Sequence, residues 1–246
     1  MKKLVIIAAA LTVAFSVYAQ PVTEKLEVDT FFSKYDKTKK NVKKEKWNFE
    51  MVPSLGLGWG KATNGDPGVG TKAMFLGDVY VPFVLGVHYI SPNGWFEFAT
   101  GAGYNRRTVR ASGKGAFWEK EDGNLVVDRL NDAFKLKHSR LYIRSLLLPV
   151  QFTFKFGKDR DRITIGPELI YNIGANAVTR YIYDDEDKDM VTHKISGLKP
   201  NRLSVGLFVF TDCVLGIPLY FRWQPANIFD GVKGPKMGFY SFGLLL

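Results

Sequence analysis

Cysteine is nearly missing from this chain: Cys213 stands alone, which rules out an internal disulfide and a thiolate cluster for zinc. Histidine is almost as scarce. His88, His138 and His193 do not fall at metal-ligand spacing, and no acidic orienter can be assigned to the dipeptide His138-Ser139, so neither a zinc centre nor an assembled nucleophile, base and orienter is expected. Beyond the amino-terminal segment no run approaches the roughly 18–20 consecutive apolar residues of a spanning helix, because a charge or a glycine interrupts each one. Such a chain crosses a membrane as strands or not at all. Phosphate-cradling loops are missing too: Gly56-x-Gly58-x-Gly60 and Gly101-x-Gly103 lie inside strand patterns with no helix behind them. They suit tight packing or bending of a strand.

Acidic residues are in the minority, 24 against 34 basic. The excess points to an anionic neighbour, and for an exported chain that is outer-membrane lipid and lipopolysaccharide rather than nucleic acid. Export is legible in residues 1–19, which have a basic start (Lys2, Lys3), an apolar stretch from Leu4 to about Val17, and the small-residue ending Val17-Tyr18-Ala19. They read as a cleaved signal peptide, and with no cysteine at the cleavage point no lipid anchor is expected. Residues 20–46 carry eight lysines and five acids, with Phe31, Phe32 and Tyr35 the only aromatics. This is expected to be a basic periplasmic lead-in, disordered or partly helical, a solvated tether that can dock a protein partner.

From Trp47 the hydrophobic period is two. Leu55, Leu57 and Trp59 oppose Ser54, Gly56 and Gly58; Val79, Val81 and Val87 oppose Asp78, Tyr80 and His88; Phe96, Phe98 and Tyr104 oppose Glu97 and Asn105. The rule holds through Leu148–Phe156 against Gln151, Thr153 and Lys155, through Ile163–Ile173 against Thr164, Glu168 and Asn172, and through three more runs ending at Leu246. Ser91–Gly94, Gly157–Asp161 and about 211–216 are short turns, whereas 61–71, 107–138, 181–200 and 226–236 are the long connections. About eight strands with one apolar face each, joined alternately by short and long connections, predict a closed antiparallel up-and-down transmembrane β-barrel over 47–246, with short turns in the periplasm. A soluble sandwich would carry charge where these strands carry rows of Phe, Leu and Val.

Three stretches carry a family likeness: RSLLLPVQFTFKF at 144–156, ITIGPELIYNIGANA at 163–177 and GIPLYFRWQPANIF at 216–229. They resemble the PorT-like outer membrane β-barrel family of Bacteroidota, with its leucine–proline step in strand 4, Gly-Pro pair in strand 5 and aromatic-arginine run ending in Asn-Ile in strand 7. The resemblance implies an eight-stranded barrel in the Gram-negative cell outer membrane. The family's named member is an accessory of type IX secretion, and the resemblance brings no catalytic residue with it.

Alternation points Glu50, Asp78, Glu97, Lys155, Glu168, Arg202 and Arg222 into the lumen, with His88 beside them, and charges in so narrow a space must pair. The long connection 107–138 mixes Arg107, Arg110, Lys114 and Lys120 with Trp118, a combination that suits lipopolysaccharide phosphates and sugars or a protein partner. Trp47, Trp95 and Trp223 fall near strand ends, as interfacial anchors do. The acidic run 184–189 lacks the spacing and glycine of a calcium loop and reads as a solvated loop. The function expected from all this is that of a non-enzymatic scaffold or accessory, without a cofactor. A narrow channel for small solutes is the alternative, and a lipid-modifying enzyme built on His138-Ser139 comes third.

Overall fold

The computed structural model describes residues 47–50, 55–63, 70–71, 74–91, 94–112, 115–131, 134–156, 161–183, 190–214, 217–231 and 233–246. Segments 1–19 and 20–46, the acidic run 184–189 and Lys114 lie outside the described residues, as do the side chains of Trp47 and Glu50.

Thirteen strands occur among the described residues: β1 (Trp47–Glu50), β2 (Gly56–Thr63), β3 (Gly70–Thr71), β4 (Met74–Ile90), β5 (Phe96–Ser112), β6 (Ala116–Glu121), β7 (Asn124–Arg129), β8 (Phe134–Phe156), β9 (Asp161–Tyr183), β10 (Met190–Leu198), β11 (Leu203–Val214), β12 (Ile217–Gln224) and β13 (Gly238–Leu245). Eight of them close on themselves. The antiparallel order runs β2, β4, β5, β8, β9, β11, β12, β13 and back to β2, the last seam pairing Ser241 with Gly60 and Leu245 with Gly56. Of the rest, β1 continues the first strand along the far part of β4, β3 pairs the end of β5, β10 lies against the end of β9, and β6 and β7 form a separate hairpin.

The period-two pattern explains the wall. Leu146, Leu148, Phe154 and Phe156 on β8, Ile165, Leu169, Tyr171 and Ile173 on β9, and Leu203, Val205, Leu207 and Val209 on β11 are all exposed, and inward residues between them such as Leu147, Thr153, Glu168, Ile170, Ser204 and Phe208 are buried. An apolar belt of that extent around a closed barrel is far larger than a water-facing surface carries, and it is the exterior of a transmembrane barrel.

Strands β8 and β9 have 23 residues each, roughly 75 Å of chain at about 3.3 Å per residue, where a tilted spanning strand needs only about 9–11. Half of each therefore stands beyond the belt, at the end with the long connections. There the two faces exchange chemistry without losing phase: Arg140 and Arg144 point out while Leu141 and Ile143 are fully buried inside. For this reason much of 107–138 and 181–200, expected as open connections, is strand. The inward residues Val109 and Ala111 of β5, Ala175 and Ala177 of β9, and Ile195 and Leu198 of β10 share an apolar cluster with the hairpin and with Ile228, Phe229, Met237 and Phe239.

Packing is tightest where glycine faces a neighbouring backbone. A Cβ on Gly166, in β9, would collide with the carbonyl oxygen of Val150 on β8. Replacing Gly166 by alanine is expected to destabilise the barrel by about 1–3 kcal/mol, because backbone cannot swing away as a side chain can. The shift would be read as a lower urea midpoint for loss of the folded, fast-migrating gel band.

Candidate functional site

Arg222 lies at the centre of the lumen. Its β12 neighbours Tyr220 and Gln224 face inward with it, and its guanidinium reaches two carboxylates at once. Nη1 donates to both oxygens of Asp78 at 3.1 and 3.0 Å, and Nη2 and Nε donate to Oε1 of Glu168 at 2.7 and 3.2 Å. The guanidinium also stacks 4.0 Å over the ring of Tyr80. Asp78 is fully buried and takes further hydrogen bonds from Asn105 Nδ2 (2.6 Å), Ser241 Oγ (2.6 Å) and the Tyr220 hydroxyl (3.2 Å). Six hydrogen-bonded side chains from five strands thus meet in one network. Glycine makes the room for it: Gly206 on β11 pairs with Glu168, and a Cβ there would press on the Glu168 side chain.

Arg107 lies beside this network, 1% exposed, donating from Nη2 to Ser145 Oγ and to Asn172 Oδ1, each at 2.7 Å. Arg107 Nε, Glu168 Oε2 and Gln224 Oε1 make no hydrogen bond with other protein groups, and all three residues line one cavity of about 10 Å³, the size of a single water. Towards the short-turn end a second network links Lys155 to Glu97 by a short ion pair, with His88 Nε2 at 3.6 Å on the other carboxylate oxygen. Arg162 and Asp212 pair nearby. Between the networks the apolar cluster Tyr80, Leu147, Ile170, Phe208, Phe210, Tyr220 and Leu245 fills the bore.

The long-loop end is closed by a different device. Asp122 and Gly123 both take positive φ, 48° and 87°, and turn β6 back onto β7. The hairpin lies over the barrel mouth, with Trp118 fully buried and its backbone N–H donating to Ser139 Oγ at 2.9 Å. The connection after β12 is tied to it by the Leu125 N–H to Lys233 carbonyl bond, and is itself drawn together by the Ile228 N–H to Met237 carbonyl bond.

These positions revise several sequence expectations. Arg107 and Trp118, assigned to an outward binding loop, are both buried: Arg107 belongs to a strand whose inward face continues past Asn105, and Trp118 is the anchor of the hairpin. Arg110 and Lys120 are exposed. Arg202, assigned to the lumen, is exposed in the bend before β11, because the strand begins one residue later. Trp95 is 55% exposed at the short-turn end, against Phe96 and Phe154, and Trp223 is 43% exposed at the long-loop end of β12. His138 and Ser139 point to opposite faces. Ser139 Oγ is buried and engaged with Trp118 and Thr179, while burial first, then Arg140, Arg180 and Arg110, hold His138 below its usual pKa. They make no nucleophile–base pair. Among the described residues no three His, Cys, Asp or Glu side chains cluster as metal ligands.

No protein-family model and no curated protein matches this chain. Among solved structures the chain is similar to Ail, the attachment invasion locus protein of Yersinia pestis, at 8% identity over 83% of this chain and 100% of that one, with a TM-score of 0.32.

Proposed function

We propose that this chain is a non-enzymatic outer-membrane barrel of the PorT-like kind, a scaffold or accessory in envelope organisation or secretion, and not a conduit. The observation that carries this reading is the filled bore: Arg222 bridges Asp78 and Glu168 across it, aromatic and aliphatic side chains pack on one side, and the Trp118 hairpin covers the mouth on the other. A solute path needs continuous water, and the cavity beside Arg222 has the volume of one molecule. A barrel that conducts nothing acts by what it holds at its ends. One end would offer the lysine-rich segment 20–46, left in the periplasm after removal of the signal peptide, and the other the packed long-loop cap.

Purified barrel in planar bilayers is expected to give no steady conductance at physiological voltage, and steady single-channel steps would overturn the reading in favour of the narrow channel. The accessory role has its own test. Affinity purification from the host's detergent-solubilised outer membrane, with and without residues 20–46, should recover a stoichiometric protein partner that the shortened chain loses. A chain that purifies alone in both forms removes the partner from the proposal.

A further inference from the structure

On the outer wall, immediately beyond the apolar belt, five arginines gather on three adjacent strands. Arg106 on β5 pairs in register with Arg144 on β8, and two rungs further out Arg110 pairs with Arg140. Directly opposed residues in an antiparallel ladder hold their Cβ atoms about 5 Å apart, and like charges there destabilise the sheet. Arg180 on β9 lies opposite His138, and its field together with those of Arg140 and Arg110 is what lowers the His138 pKa after burial. Arg106, Arg110, Arg144 and Arg180 are exposed. Among the described residues none of the five pairs with a carboxylate, and Arg140 Nε is buried without a hydrogen-bond partner. Among the described residues, then, like charges are stacked with no carboxylate paired to them.

Their height on the wall says what they face. Arg144 is followed on the same face of β8 by Leu146 and Leu148, both about half exposed, so the guanidinium lies roughly 7 Å beyond the start of the apolar belt. Tyr142 opposite Thr108 fills the rung between the arginine pairs, and Tyr104 opposite Leu146 the rung just below them, each with an amphipathic ring. At the other rim of the belt the outward side chains among the described residues are Trp95, Phe156, Ile217 and Leu246. A cationic ladder at the long-loop boundary of the belt meets the headgroup level of one leaflet.

We propose that Arg106, Arg110, Arg140 and Arg144, flanked by Arg180, form a binding site on the barrel's outer wall for the phosphates of an outer-leaflet phosphoglycolipid of the lipid A class, whose acyl chains lie on Leu146 and Leu148 below. Guanidinium forks take phosphate oxygens two at a time, and a diphosphorylated headgroup spans the roughly 13 Å between the two arginine rungs. This rests on the membrane-embedded barrel of the preceding section and moves its anionic contact from the loop to the wall.

The test uses the full mature chain in nanodiscs doped with bis-phosphorylated lipid A or with the same lipid stripped of phosphate, bound lipid being read by native mass spectrometry. The wild type is expected to hold the phosphorylated form at least about tenfold more tightly, the scale of one or more charge-assisted hydrogen bonds. The variant R106Q/R110Q/R140Q/R144Q should lose that preference while keeping the heat-modifiable gel mobility of a folded barrel, and the corresponding four-lysine variant should keep part of it. Equal binding of the two lipids, an unchanged preference in the glutamine variant, or full displacement by inorganic phosphate at the lipid's own concentration would each overturn the site. Loss of the folded gel band in the wild type itself would instead strike at the membrane barrel, so the two failures are distinct.

Discussion

Replacing Arg222 by methionine is expected to cost the barrel about 3–5 kcal/mol, the penalty for leaving buried carboxylates without their cation. Asp78 and Glu168 are 0% and 1% exposed, and among the described residues Arg222 is the side chain that donates to both. Methionine preserves much of the volume, so the loss would be electrostatic and not one of packing. The urea midpoint for losing the folded gel band in lipid vesicles measures it. Combining R222M with D78N and E168Q should recover most of the loss, since a neutral core of the same shape removes the unpaired charges. Lysine should do only part of the job, because one ammonium cannot reproduce donation from Nε, Nη1 and Nη2 to two separate acceptors. If R222M unfolds at the wild-type midpoint, the central network is not what holds the lumen together.

Trp118→Ala should act locally and strongly. The indole is fully buried in the cluster that joins the hairpin to the inner faces of β5, β8 and β9, and deleting a ring from such a site typically removes about 3–5 kcal/mol. The hairpin has few other ties to the barrel, chief among them the bond from its Trp118 N–H to Ser139 Oγ. Its amides are therefore expected to exchange with solvent roughly a hundredfold to a thousandfold faster in the variant. Amides of β8 and β9 within the belt should keep their protection, because their partners lie in the barrel wall. Unchanged exchange of the hairpin would show that the mouth is held shut by the connection after β12 and not by Trp118.

Alternation made the wall and most of the lumen legible. Asp78, Glu97, Glu168, Lys155 and Arg222 could each be assigned inward because a period of two admits only two faces, and the apolar rows had to be the outer one. The same rule, carried two residues past Asn105, assigns Arg107 inward as well. A change from apolar-out to charged-out hides that continuity, since the hydrophobic signal weakens at the point where the strand leaves the belt. The hairpin had a short-range marker in Asp122-Gly123, set between AFWEKE and NLVVDR, the type of two-residue turn that strands favour. A basic composition across 107–138 draws attention away from it.

Strand count, antiparallel order, the apolar exterior and a charged interior all follow from the sequence, because side-chain period and connection length are local properties that a closed barrel repeats. Which charges meet was decided by tertiary structure alone. The registers that join β9 to β12 through β11, and β12 to β4 through β13 and β2, bring Asp78, Glu168 and Arg222 together across as many as 144 residues of chain, and no local pattern encodes a separation of that kind. The same holds for the closed mouth and for the arginine ladder: Trp118 becomes a plug, and Arg106 and Arg110 become opposed to Arg144 and Arg140, only once strands far apart in sequence are laid side by side.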